Sequence, residues 1–362
     1  MDSIKDNRMA WIRNIDSLQK GSQTYFTEYE IATETYIPGL FIYRNDAILC
    51  SSSTFDKDQR GLFKYTLKIK LPALEEPYYN RQASVKGYYF KEGIPGEILA
   101  LFSLYFQCRF YMLAAFSNDL TPHSIKMKLE YDPLYRSCKP YFDPVVFSNG
   151  KRTFSSGLAD FLNRIITIPM AYHQQIILAC YHYARALKEF GVDEEMVFIR
   201  LVSAVEALSE WVVLKKNDDL FNELEFDDIV KTELLAKKQL QELKKLFDVR
   251  KSKLKFKRFI EQYSKGFFKG GNFEAPHTRI KKADLLDTLS AIYDSRSEYL
   301  HGGEAMYLSQ PMRGGHKWDT DPSLGMIIDN RKFPRRKKLP YGSYFQRLVR
   351  YCLMEFIKDI AS

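Results

Sequence analysis

Ala291-Ile292-Tyr293-Asp294-Ser295-Arg296-Ser297-Glu298-Tyr299-Leu300-His301-Gly302-Gly303 sets an arginine and a histidine five positions apart at the end of a helical pattern, with two glycines as its stop. The helix reads from about Lys282 to Leu300, with Leu285, Leu286, Leu289, Ile292 and Tyr293 on its core face. Arginine is a permanent cation whose planar fork grips a phosphate at two points. Histidine is the side chain whose ordinary pKa lies near neutrality. Arg296 and His301 are therefore sufficient parts for metal-free cleavage of RNA. Read structurally instead, Arg296 pairs with a nearby acid such as Asp294 or Glu298, and His301 caps the last carbonyls.

Helical patterns continue on both sides of this stretch. Ala171 to Phe190 is apolar at helical spacing (Ile176, Cys180, Tyr183, Leu187) and stops at Gly191. Asp193 caps a helix from Glu194 to about Leu214, with Val197, Leu201, Ala204, Val205, Leu208 and Val212 as its core stripe. The basic run from Lys244 to Arg258 carries Leu246, Phe247, Leu254 and Phe256 between its cations, with Phe259 just beyond. One face of it is thus core and the other solvated. A last helix covers about Tyr344 to Ile360. Such helices with short to moderate connections suggest an antiparallel bundle.

The hexapeptide Arg296-Ser297-Glu298-Tyr299-Leu300-His301, its context YDSRSEYLHGG and the earlier helix FIRLVSAVEALSEW resemble the Apea-like branch of the HEPN superfamily, whose motif is R-x4-6-H. The likeness covers about residues 155 to 362. It implies a helical bundle that usually dimerises and, in many members, a metal-independent endoribonuclease serving antiviral defence, abortive infection or toxin–antitoxin pairs. By position, Arg296 and His301 match the catalytic pair, and Glu206 matches an acidic residue of the earlier helix often placed near the site. Ser297 departs from the Asn, Asp or His that many active members carry after the arginine. That departure keeps open a second reading, a non-catalytic module that binds RNA or protein and dimerises. Glu206 also neighbours Ser203 and Glu210, as on an ordinary solvated face.

Helix geometry bears on the dimer independently. Five residues turn an ideal helix through about 140°, so Arg296 and His301 do not converge on one continuous helix. Either the helix ends near Leu300 and His301 swings free, or a second copy faces the first across a two-fold axis.

The cluster Arg331, Lys332, Arg335, Arg336, Lys337 and Lys338 follows the Arg–His stretch, and no acid lies between Asp329 and Glu355. It suits a phosphate-backbone track and is the expected RNA contact. The whole chain has a net charge of +9, which favours an anionic partner.

Before residue 150 the pattern changes. Thr24 to Ile31, Gly39 to Arg44, Leu62 to Leu71, Val85 to Phe90 and Ile125 to Tyr131 read as strands. An apolar helix from near Pro95 packs on their sheet. Ile98 to Phe116 is nearly long enough to span a bilayer. Gln107 and Arg109 near its middle make it a buried core helix instead. Pro133, Pro140, Pro144 and Ser148-Asn149-Gly150 mark the linker. The fold expected is an α+β domain over 1–150, of sensor or regulatory character and able to hold a partner, followed by an all-α HEPN-type helical domain over 151–362.

The remaining chemistry classes lack their parts. The 362 residues include five cysteines, none in a C-x-x-C pair, which fits a reducing cytoplasmic setting without disulfides. Met1 to Lys20 lacks an apolar stretch, so no secretory signal is read there, and with Ile98–Phe116 read as a core helix no membrane partner is expected. His173 and His182 are nine apart, and His123, His277 and His316 stand alone, so no metal site is expected. There is no phosphate-binding P-loop and no G-x-G-x-x-G after a strand, and no cofactor is expected.

Overall fold

The computed structural model describes residues 8–18, 23–53, 57–58, 62–72, 93–117, 153–212, 252–269, 279–306, 308, 319–320, 327–328, 331–332 and 339–362. The described residues form an antiparallel sheet with helices in the N-terminal region, and beyond it, where an all-α domain is expected, helices with one short strand pair at Ile327–Ile328 and Arg331–Lys332. Two compact units can be distinguished, one formed by Met1–Val197 with Phe356–Ser362 and the other by Phe198–Glu355. The expected linker around residues 131–152 lies outside the described residues, as do the expected strands Val85–Phe90 and Ile125–Tyr131.

The first unit is built on five strands, β1 (Thr24–Thr33), β2 (Leu40–Tyr43), β3 (Ile48–Ser52), β4 (Phe63–Pro72) and β5 (Tyr111–Ser117), in the order β2-β3-β4-β1-β5. The alternation in β4 sorts its side chains. Tyr65, Leu67 and Ile69 are buried, while Lys64 and Lys68 reach across the other face to Glu30 and Glu28 of β1. Such cross-strand pairs are the unit of sheet stability. Helix α1 (Ala10–Leu18) packs on β4 and on α2 (Gly93–Phe106). α2 is buried on nearly every side. Its Phe102 and Phe106 meet Phe41, Phe110 and Phe154 in an aromatic core. The chain around Phe154 comes so close to Gly39 that an added Cβ would lie 2.9 Å from the Phe154 carbonyl oxygen. Gly39 also has φ of +108°, a region costly for any other residue.

The segment Ile98–Phe116 is not one core helix. α2 ends at Phe106, Gln107 turns left-handed at φ 56°, and β5 begins at Tyr111. Arg109, which excluded a membrane span, is buried with Glu34 and bonds it through Nε at 2.8 Å. Its Nη1 also donates to the Phe190 carbonyl at 3.4 Å. The polar break is thus a buried ion pair between the residue that follows β1 and the segment that leads into β5, whose hydrogen bonds offset the desolvation of both charges. No helix of the described residues is long and apolar enough to cross a membrane.

α3 (Ser156–Thr167) and α4 (Met170–Glu189) complete this unit, α4 packing on α2. Gly191 ends the turn after α4 with φ of 78°. α5 (Glu194–Ser209) then starts at Asp193, whose Oδ1 accepts the Met196 amide at 2.9 Å. Glu194 accepts the Gly191 amide at 3.0 Å. This is how a sequence places a helix start directly after a helix stop.

The second unit holds most of α5, a helix α6 over 252–263, α7 (Leu285–Gly302) and α8 (Gly342–Ile360) up to Glu355. A chain of rings joins all four. Phe198 of α5 stacks on Phe345 of α8 at 5.6 Å, Phe345 meets Phe256 of α6 at 6.5 Å, and Phe256 meets Tyr293 of α7 at 5.4 Å. The expected stripe of α5 is buried from Val197 to Leu208; Val212, past the helix end, is half-buried. Phe256 and Phe259 are buried in α6, as the pattern predicts, whereas Leu246 and Phe247 lie outside the described residues.

A buried acid in the first unit gives a test of its packing. Glu97 of α2 accepts the amides of Ala10 and Trp11, at 3.2 and 2.9 Å, and so caps α1 from elsewhere in the chain. Burial pushes its carboxyl up to about 7 from 4.5, against those two amides and the charge of Arg13. A carboxyl that holds its proton more tightly folded than unfolded contributes stability that is full below about 4.5 and is lost as the pH rises towards about 7. Glu97→Gln should therefore flatten this loss. The gap in unfolding midpoint between wild type and variant should change between about pH 5 and about pH 8, in the variant's favour at the higher pH. A gap that does not change with pH refutes the assignment.

Candidate active site

Tyr293 and Arg296 lie three residues apart on α7, so both face α5 from the same side of the helix. There they meet Glu206 in the last turn of α5. Arg296 Nη2 donates to Glu206 Oε2 at 3.0 Å, and the Tyr293 hydroxyl donates to Oε1 at 2.9 Å. The Arg296 guanidinium also stands over the Tyr293 ring, 5.7 Å from its centre. The cation is held by a carboxylate on one side and an aromatic face on another. The side chains of Arg296 and Glu206 are 20% and 25% exposed, so the pair is screened by solvent but not lost to it. Arg296 Nε is buried without a hydrogen-bond partner.

His301 stands apart from this cluster. α7 continues through it to Gly302, and the chain leaves the helix at Gly303, which adopts a left-handed φ of 69°. The Gly303 amide turns back on the carbonyls of Glu298 and Tyr299. The second glycine is therefore the stop, and the helix does not end at Leu300 to let His301 swing free. His301 is exposed, as is Leu300 beside it. The turn of about 140° between Arg296 and His301 is kept.

Two further cations surround the Glu206 cluster. Lys253 Nζ of α6 bonds both oxygens of Asp294, at 2.6 and 2.7 Å. Lys255 Nζ bonds Glu210 at 2.6 Å. α6 is thus tied to α7 and to α5 by charge, above the ring contacts that tie their cores. Burial, with the charge of Lys253, draws the Lys257 ammonium below its ordinary range. Burial first, then the Glu206 carboxylate, holds the Tyr293 phenol well above its ordinary range.

The structure therefore brings Glu206 and Arg296 together and leaves His301 on the surface. Arg331 and Lys332 form the strand β7 against β6 (Ile327–Ile328), described as backbone alone. Arg335, Arg336, Lys337 and Lys338 lie outside the described residues. The helical pattern marks Tyr293 only as a core position and gives its hydroxyl no role. The three-residue step to Arg296 was the available signal. The pairing of Lys253 and Lys255 with Asp294 and Glu210 leaves no sign in the sequence.

Comparison with known proteins finds no matching family model, no matching curated protein and no matching solved structure.

The Glu206–Arg296 contact yields a stability prediction. Glu206→Ala strands a partly buried guanidinium and a buried phenol; Arg296→Ala leaves the carboxylate with one donor. Each should cost about 1–3 kcal/mol of unfolding free energy, and the double variant clearly less than the two added. Chemical denaturation of all four proteins measures this. Strict additivity would mean that the contact carries no energy.

Proposed function

We propose that the chain is a metal-independent endoribonuclease with an Apea-like HEPN helical domain, acting as a homodimer in the cytoplasm as a defence or toxin effector. The observation that supports it is an arginine oriented by a carboxylate from a neighbouring helix, with an exposed histidine five residues further at the helix end. Glu206 orients Arg296 toward the scissile phosphate. Arg296 holds that phosphate and meets the charge that develops in the transition state. RNA supplies its own nucleophile, the 2′-hydroxyl. One His301 takes the proton of that hydroxyl, and the second copy's His301 gives a proton to the departing 5′-oxygen. The 2′-oxygen bonds to phosphorus as the 5′-oxygen leaves, giving a 2′,3′-cyclic phosphate and a 5′-hydroxyl. The basic segment Arg331–Lys338 tracks the backbone. The N-terminal α+β region senses a trigger or holds a regulatory partner.

One observation favours a second reading. An ion pair that orients Arg296 is also what a purely structural clamp contains. On that reading the helices form a non-catalytic module for binding RNA or protein and for dimerisation.

Incubation with a mixed RNA pool in EDTA, beside Arg296→Ala and His301→Ala, separates the two. The expected result is cleavage by wild type that leaves 2′,3′-cyclic phosphates, with a loss of about 10²–10⁴ in rate on removing His301. Cleavage that survives both substitutions, or that needs Mg²⁺, overturns the nuclease mechanism. RNA binding without cleavage supports the module.

A further inference from the structure

Glu206 serves two donors with two different oxygens. A carboxylate free to face a guanidinium ordinarily closes a two-point fork, each oxygen meeting its own N–H. Here the fork is half-made. Oε1 is committed to the Tyr293 hydroxyl, Oε2 alone meets Arg296 Nη2, and Arg296 Nε is buried with no partner. A buried N–H left unsatisfied is costly, and such groups call for an account of what holds them so. The holding group is the phenol. Its ring is buried in the contact with Phe256, so its hydroxyl is fixed in place on the carboxylate.

We propose that Tyr293 is a positioning residue whose hydroxyl fixes the orientation of the Glu206 carboxylate, so that Glu206 holds Arg296 through a single contact and presents its Nη1–Nη2 edge to a phosphate. The inference rests on the reading of Arg296 as a phosphate-binding group. Tyr293 is not itself an acid or base in the reaction. Its hydroxyl donates to Glu206 Oε1, and burial together with that carboxylate keeps the proton on the phenol. Without the hydroxyl, the carboxylate is free to turn Oε1 toward the Nε–H and accept from it. Glu206 and Arg296 then close into a full fork, which turns the guanidinium away from the direction that the single contact gives it.

The test uses the full chain as Tyr293→Phe, which keeps the buried ring, and as Tyr293→Phe with Glu206→Gln. The first measurement is the NMR signal of Arg296 Nε–H, assigned by its loss in Arg296→Lys. In Tyr293→Phe it should move downfield, as a new bond to a carboxylate requires; an unmoved signal overturns the proposal. This readout does not depend on what the protein cleaves. The second measurement is RNA cleavage. Tyr293→Phe should lower kcat by roughly ten- to a hundredfold, as misplacement of a phosphate-holding group does. Adding Glu206→Gln should restore part of that loss, because an amide has one acceptor oxygen and holds Arg296 by a single contact, as the wild-type carboxylate does. A double variant no better than the single one assigns Tyr293 a packing role and overturns the inference. Wild type that cleaves no RNA would remove the nuclease reading, while the Nε signal would still decide the role of Tyr293.

Discussion

The second unit depends on one carboxylate shared by two donors. Glu206 joins α5 to α7, so the aromatic chain that leaves α5 at Phe198 and runs through Phe345, Phe256 and Tyr293 is tied back to α5 about two turns further on. Ring contacts are broad and tolerate small rotations; hydrogen bonds of 2.9 and 3.0 Å do not. The apolar chain therefore supplies most of the energy that holds the four helices, and Glu206 fixes which residues of α5 and α7 face each other. One residue of slippage in α7 would turn Arg296 by about 100° and strand the carboxylate. The same contact thus sets the helix register and the aim of the arginine.

The first unit handles its buried charges in a different way. Arg109 and Glu34 neutralise each other between the end of β1 and the segment that leads into β5. Glu97 has no such direct cation and meets two backbone amides at the start of α1 instead. Helix N-termini are favourable places for a negative charge. Yet complete burial outweighs those amides and raises the carboxyl rather than lowering it. The ion pair ties sheet strands together, whereas the lone acid fastens a helix to its neighbour and makes that fastening sensitive to pH.

How much of this could be read in the sequence follows from the range of the forces. Alternation over Leu62–Leu71 reported a half-buried strand, because the burial of each side chain is decided by its nearest neighbours. Gly191 and Asp193 announced a stop and a start, because both act within three residues. The apolar run after Ile98 was misread, since helix and strand are equally apolar there. What divides them is a left-handed Gln107 and an arginine whose partner lies 75 positions away. β3, α1 and α3 were not foreseen. The site divides in the same manner. Arg296, His301 and Glu206 were legible as residue types in a pattern, but the bond between Arg296 and Glu206 spans 90 positions. The role of the Tyr293 hydroxyl was hidden behind its ring, which alone explains a core position.

The continuity of α7 constrains any chemistry built on Arg296 and His301. Had the helix ended at Leu300, the histidine could have folded back toward the arginine within one copy. It continues to Gly302, so the angle set by 3.6 residues per turn stands and the two groups face different ways. Arg296 turns to Glu206 and is mostly covered, and His301 turns to solvent. On the endoribonuclease reading, this geometry makes a second copy a chemical requirement rather than an accessory. A two-fold axis near the end of α7 would carry each patch onto itself, setting two histidines and two arginines around one phosphate. A base and an acid would then be available together without either having to change its role within a turnover. In a single copy, an arginine held by its carboxylate and a histidine on another side of the helix have no common phosphate to act on.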